Sequence, residues 1–275
     1  ERLFNNTNSR KIVILHIFAE RSSLIKKQKK YTMNSLNKLY SYLLLSLTSI
    51  LFVNAHPTII KQDIDWPQFM SQQDMIWEKL PEYWYDSAFL GNGKLGLMIY
   101  KEPGENYIRL ETGNCDVHDH RAKRDVFGIP RLLTGHFALH PKGEIISGQM
   151  RLDLWNAEAS TDITTTKGVI HLKTIVHADD MIIVVKATTE GDENDFKWEW
   201  IVAEANSPRY LIFKRRGQTN KIPQDYELNP APTISRNGNI SLSVQKLLAG
   251  GQTTVGWQET QQSKKERTLW INLTH

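Results

Sequence analysis

The sequence predicts a mainly β protein, a large antiparallel β-sandwich (a super-sandwich) with one short N-terminal helix. Three observations lead there. Beyond residue 56 the apolar residues recur with period two, turn chemistry punctuates the chain every 10–15 residues, and almost nothing reads as a helix. With 275 residues and 40% hydrophobic content there is material for a core, so wholesale disorder is excluded. A single cysteine excludes an intramolecular disulfide and any cysteine-rich zinc site.

The predicted helix lies at 71–80. Ser71 and Asp74 have the spacing of a capping box ahead of Met75, Ile76, Trp77 and Leu80, and Pro81 stops the run. Strands are expected next at 95–100 and 105–110, joined through Pro103-Gly104 as a hairpin. Further strands are expected at 135–140, 145–155, 169–177, 181–188, 196–202, 210–214, 241–248, 253–258 and 267–273. Most are flanked by turn signals such as Pro141-Lys142-Gly143, Lys167-Gly168 and Asn237-Gly238. The run Ile182-Ile183-Val184-Val185 suits a central strand buried on both faces, whereas residues 169–174 show one apolar and one polar face. Residues 217–232 are polar and proline-rich and read as a long surface loop.

The charge is unevenly spread. Residues 1–32 hold eight basic and two acidic side chains, and residues 33–55 add only Lys38. Residues 56–275 carry 25 basic and 28 acidic side chains, so the body is mildly acidic and nucleic acid is not an expected partner.

The first methionine is Met33, and residues 33–55 have the parts of a secretory signal. Lys38 supplies the positive end, LLLSLTSILFV the apolar segment and Val53-Asn54-Ala55 the small-residue site, with cleavage expected between Ala55 and His56. An apolar run of that length falls short of the roughly 20 residues that span a bilayer. An internal hydrophobic helix is the alternative. Export to the periplasm or the exterior is expected, with no membrane anchor after cleavage. Residues 1–32 read as upstream sequence translated in frame, or else as an N-terminal arm. The domain proper is then 56–275.

Gly91-Asn92-Gly93-Lys94-Leu95-Gly96 is literally G-x-G-x-x-G. A dinucleotide site would need a helix immediately after it, and a strand-like run stands there instead. The kinase segments are missing too, so a tight turn using glycine's freedom at φ > 0 is the expectation. Asp116, His118, Asp119, His120 and Arg121 form the densest polar cluster. On a strand the two histidines share a face and could hold a metal, but no third ligand is apparent. A hydrogen-bonded loop and a sugar-contacting rim are the other readings. Trp198 and Trp200 share one strand face and read as core rather than as a sugar platform. Cys115 reads as a small buried residue. No metal site, cofactor or catalytic residue is assigned.

The stretch WYDSAFLGNGKLGLMIYKEPGENYIRLETGNCDVHDHR (84–121) resembles the start of glycoside hydrolase family 95-like proteins, the α-L-fucosidase group. The features that carry it are Trp77 and Trp84, the turn and strand 91–98, and the strand 108–116 ending in polar residues. MRLDLWNAEAS, IHLKTIVHADDMIIVV and GGQTTVGWQE also look like that N-terminal sandwich, so the resemblance spans most of 63–275. Where the better-known fucosidases carry Asn-Glu-x-x-Leu-Trp, this chain reads Glu111-Thr112-Gly113-Asn114-Cys115-Asp116, and a galactosidase or another exo-glycosidase is equally compatible. The resemblance implies an exported hydrolase acting on oligosaccharides by two-carboxylate chemistry, with its catalytic residues on an α/α barrel C-terminal to the sandwich. No paired-helix pattern occurs here, so the chain is expected to be a non-catalytic N-terminal fragment whose partners are a glycan and that barrel. Asp116, His118, Asp119, His120 and Arg121 would then belong to the substrate rim. A stand-alone carbohydrate-binding module is the alternative.

Overall fold

The computed structural model describes residues 64–121, 127 and 130–275. The expected leader, its cleavage site at Ala55–His56 and the segment 1–32 lie outside the described residues.

Fourteen strands form two antiparallel sheets among the described residues. The larger sheet has nine strands in the order β1-β6-β7-β8-β9-β14-β13-β12-β11. These are β1 (Met75–Trp77), β6 (Ile145–Asp153), β7 (Glu158–Thr165), β8 (Gly168–Val176), β9 (Ile182–Gly191), β11 (Thr233–Asn237), β12 (Ile240–Lys246), β13 (Gln252–Ser263) and β14 (Glu266–Thr274). The smaller has five in the order β10-β5-β4-β3-β2, namely β2 (Ala88–Gly91), β3 (Leu95–Lys101), β4 (Ile108–Asn114), β5 (Gly135–His140) and β10 (Lys197–Val202). One apolar cluster joins their inner faces. Leu97, Ile99, Leu110 and Phe137 of the smaller sheet belong to the same core as Ile163, Ile170, Leu172, Ile183, Val185 and Ile271 of the larger. This is the β-sandwich that the sequence predicts, held by alternate inward side chains.

The strand at 135–140 lies where it is expected, and the hairpin through Pro103-Gly104 joins β3 to β4 with Gly104 at φ +78°. β9 is the central strand of its sheet, but one face is fully buried and the other half-buried, a weaker version of the expectation. Trp200 is core, its ring tilted against Phe137 at 4.9 Å and 5.8 Å from Trp257, while Trp198 is partly buried and packs edge-on against Phe196 at the core's margin.

The sequence reading does not include the strands β2, β7 and β11, and two elements it does include take another form. The helix α1 runs Trp66–Ser71, capped by Asp65, whose carboxylate accepts from the Gln68 amide at 3.1 Å. Residues 75–77 are instead strand β1, paired with Met150–Leu152 of β6. Asp74 decides this. Its side chain is almost wholly buried and accepts from the Arg151 guanidinium and, at 2.9 Å, from the Leu154 amide. It staples the segment to β6 rather than capping a helix. The stretch 210–214, read as a strand, lies in the helix α2 (Pro208–Arg215). Pro208 opens its first turn, and the Ser207 hydroxyl accepts from the Arg209 amide at 3.3 Å.

Two connections that cross from one sheet to the other meet the β7–β8 hairpin at Glu193. Its carboxylate is fully buried and accepts from the Lys142 and Gly143 amides at 2.8 and 2.7 Å and from the Thr165 hydroxyl. The β5–β6 link, the β7–β8 hairpin and the β9–β10 link are thereby held by one side chain.

Candidate functional site

The outer face of the five-stranded sheet carries an open groove of about 810 Å³. Its floor is set by register. In β2, β3 and β4 the outward positions pair as Gly91 with Gly96, Gly96 with Gly113, Met98 with Glu111 and Tyr100 with Arg109. Three glycines at adjacent outward positions keep the floor low, with the Phe89 ring lying against Gly91 and Gly96 and open space over Gly113. A Cβ at Gly96 would meet the Phe89 ring at 3.1 Å, whereas at Gly113 it would meet nothing within 4 Å.

The β2 side is an aromatic wall. Phe89 and Trp84 are 61% and 62% exposed although both are large apolar groups, and both line the groove. Trp84 packs edge-on to Tyr85, which stacks on Tyr83 at 5.2 Å. The lining also includes Arg131, Leu132 and Leu133 of the β4–β5 connection and Arg215 at the end of α2.

The turn in G-x-G-x-x-G fixes one end of the trough. Gly93 adopts φ +91°, as the tight-turn expectation requires. The Asn92 side chain accepts from the Lys94 and Leu95 amides at 3.0 and 2.8 Å and donates to the His177 and Asp180 carbonyls at 2.9 and 3.1 Å. One residue therefore shapes the β2–β3 hairpin and ties it to the β8–β9 corner of the other sheet.

The other end is polar and mostly desolvated. Arg109 donates to Glu111 at 2.5 Å and to Glu102 at 3.0 Å. Burial raises the Glu111 carboxyl above its ordinary value despite the adjacent guanidinium. Burial also raises the Tyr100 hydroxyl. His136 stands across the sheet from Glu111, and burial with the nearby Arg109 charge lowers its imidazole to about 4. His136 Nε2 is buried without a hydrogen-bond partner.

None of the cluster singled out in the sequence is among the residues lining this groove, and the cluster does not form one array; Asp116 and His118 adjoin the groove through Lys94 and Arg131. Asp116 is exposed and lies 3.8 Å from Lys94 at the trough's turn end. His118 pairs across a bridge with Arg131, and its ring stacks on His120 at 5.7 Å, with His275 6.5 Å beyond. Asp119 is fully buried and accepts from Arg121 at 2.9 Å, and Arg121 in turn donates to the Glu227 carbonyl and lies over the Tyr226 ring. Among the described residues no group of three or more His, Cys, Asp and Glu has metal-binding geometry. Cys115 is half-buried and lines the groove rather than the core.

Sequence reasoning missed Phe89, Arg109 and the glycine floor. Phe89 looks like one more core aromatic until its alternation with Ala88 and Leu90 places it outward. Arg109 and the glycines acquire meaning only from cross-strand register.

No family model matches the chain, and no curated protein matches it. Among solved structures, a protein assigned as a kojibiose phosphorylase from the human microbiome is similar at a TM-score of 0.41 and 12% identity, over 68% of this chain and 26% of that one. This chain thus spans about a quarter of that protein's length.

Proposed function

We propose that the chain is the non-catalytic β-sandwich of an exported, α-L-fucosidase-like glycoside hydrolase, and that the groove on its smaller sheet holds part of the glycan. The observation that carries this reading is the groove itself. Exposed aromatic rings stand beside a glycine floor that ends in fixed hydrogen-bonding groups. Pyranose rings present apolar faces that stack on aromatic side chains and hydroxyls that seek charged or polar partners, and a groove of several hundred Å³ accommodates a short oligosaccharide. The segment whose sequence resembles the fucosidase group, 84–121, is also the segment that supplies the aromatic wall, the floor and the Arg109–Glu111 pair. Exposed Asp116 and His120 stand as rim groups, and a catalytic α/α barrel is the proposed partner domain. Removal of the leader at Ala55–His56 belongs to the same proposal.

Calorimetric titration of the chain with fucosyl and galactosyl oligosaccharides tests it. Saturable binding with Kd on the order of 0.1–1 mM is expected, without release of free sugar. Phe89→Ala weakens binding about tenfold or more by removing the stacking plane. The absence of binding to every neutral and charged oligosaccharide tried, at millimolar ligand, overturns the reading, and hydrolysis by the chain alone overturns its non-catalytic part.

A further inference from the structure

The groove's charge is opposite to that of the body around it. Among the described residues, four basic side chains line it (Lys94, Arg109, Arg131 and Arg215) against a single acid, Glu111. Residues 56–275 as a whole hold more acids than bases. Two of the four cations are already engaged, Arg109 by Glu111 and Glu102 and Lys94 at the longer distance of 3.8 Å by Asp116. Arg131 and Arg215 have no carboxylate partner among the described residues, and both are exposed residues of the same groove lining as Phe89 and Trp84. They arrive from separate elements, the β4–β5 connection and the end of α2, so their presence in one groove is a property of the tertiary fold.

A neutral glycan uses the aromatic wall and the polar end but leaves these two guanidinium groups unmatched. A guanidinium presents a planar fork of donors that fits a carboxylate or a sulfate with two parallel hydrogen bonds. Resting on the glycan reading above, we propose that the groove selects anionic saccharides. One ring stacks on Phe89 and Trp84, while an anionic substituent, a uronate carboxylate or a sulfate ester, is held between Arg131 and Arg215.

The test compares three oligosaccharides of equal length by calorimetry on the full chain: a neutral fucosyl, a sulfated fucosyl and a uronic-acid oligosaccharide. At low ionic strength at least one anionic glycan binds about tenfold or more tighter than the neutral one. That advantage shrinks several-fold between roughly 20 and 200 mM salt, as screening requires. Which anionic glycan binds tighter identifies the substituent. The double variant Arg131→Glu/Arg215→Glu abolishes the advantage. Arg236→Glu, a charge reversal on β11 of the other sheet, leaves the advantage intact and serves as the control for net charge. Circular dichroism verifies that each variant is folded. Equal binding of neutral and anionic glycans overturns this inference and leaves the glycan reading standing, whereas failure of all three to bind overturns both. An advantage lost equally in Arg236→Glu overturns it as well, by showing that overall charge rather than the groove makes the choice.

Discussion

Asn92 is the residue whose removal tests the architecture of the groove most sharply. Its side chain makes four hydrogen bonds, two that close the β2–β3 turn and two that reach carbonyls of the β8–β9 corner. Half-burial leaves some of these groups able to return to water, so each contributes toward the lower end of about 0.5–1.5 kcal/mol. Asn92→Ala therefore destabilises the chain by about 2–3 kcal/mol. Asn92→Asp separates the two roles. It keeps an acceptor for the Lys94 and Leu95 amides but turns a second oxygen toward the His177 and Asp180 carbonyls, where only a donor is tolerated. The aspartate variant recovers at most half of the loss. Urea unfolding monitored by tryptophan fluorescence reads both, since Trp200 and Trp257 sit together in or against the core. With a urea slope of roughly 2–3 kcal/mol/M the midpoint of Asn92→Ala falls by roughly 1 M. An aspartate variant as stable as the parent refutes the inter-sheet role. An alanine variant within about 0.5 kcal/mol of the parent refutes the whole argument.

Two further predictions concern the β5 side of the same sheet. Gly135 has φ +123°, and a Cβ there would lie 2.5 Å from the Trp200 ring and 2.8 Å from the Ile201 carbonyl oxygen. Gly135→Ala combines backbone strain with overpacking, about 3 kcal/mol or more, and a scanning melt shows a drop on the order of 10 °C. His136 titrates at about 4 rather than 6.5 when folded, so the unfolded chain binds the extra proton first as pH falls. Stability held at neutral pH is then lost progressively between about 6.5 and about 4. The ceiling is about 3 kcal/mol, and solvent screening of this incompletely enclosed ring reduces it to about 1–2 kcal/mol. Urea midpoints at pH 7 and pH 4.5 fall further apart in the parent than in His136→Asn. Equal pH sensitivity of the two contradicts the burial argument.

Much of the strand content is legible in the sequence because inward positions are apolar and turns are marked by glycine and proline. β5 needs only its own sequence, and so does the hairpin through Pro103-Gly104. β7 is not legible, because its buried positions include Thr161 and Thr165 beside Ala159 and Ile163, so the alternation is not one of hydrophobicity. The segment 71–77 misleads because Asp74 has the spacing of a helix cap, while its partners, Arg151 and Leu154, lie far along the chain. The stretch 210–214 is apolar enough for a strand, and the Ser207-Pro208 start that makes it helical lies just upstream. Of the candidate site, the aspartate–histidine cluster stands out in the sequence because its residues are adjacent. The groove does not, since its floor is three glycines matched across strands and its cations come from segments 84 residues apart, at Arg131 and Arg215.

The central claim is that a glycan lies in this groove, and the indole resonances of the eight tryptophans can locate it. In a titration of the 15N-labelled chain with a fucosyl oligosaccharide, the Trp84 indole and the Gly96 and Gly113 amides shift together and saturably, while the buried Trp200 does not move. Shifts confined to Trp155 or Trp270 of the nine-stranded side, or no shift at millimolar ligand, contradict the account.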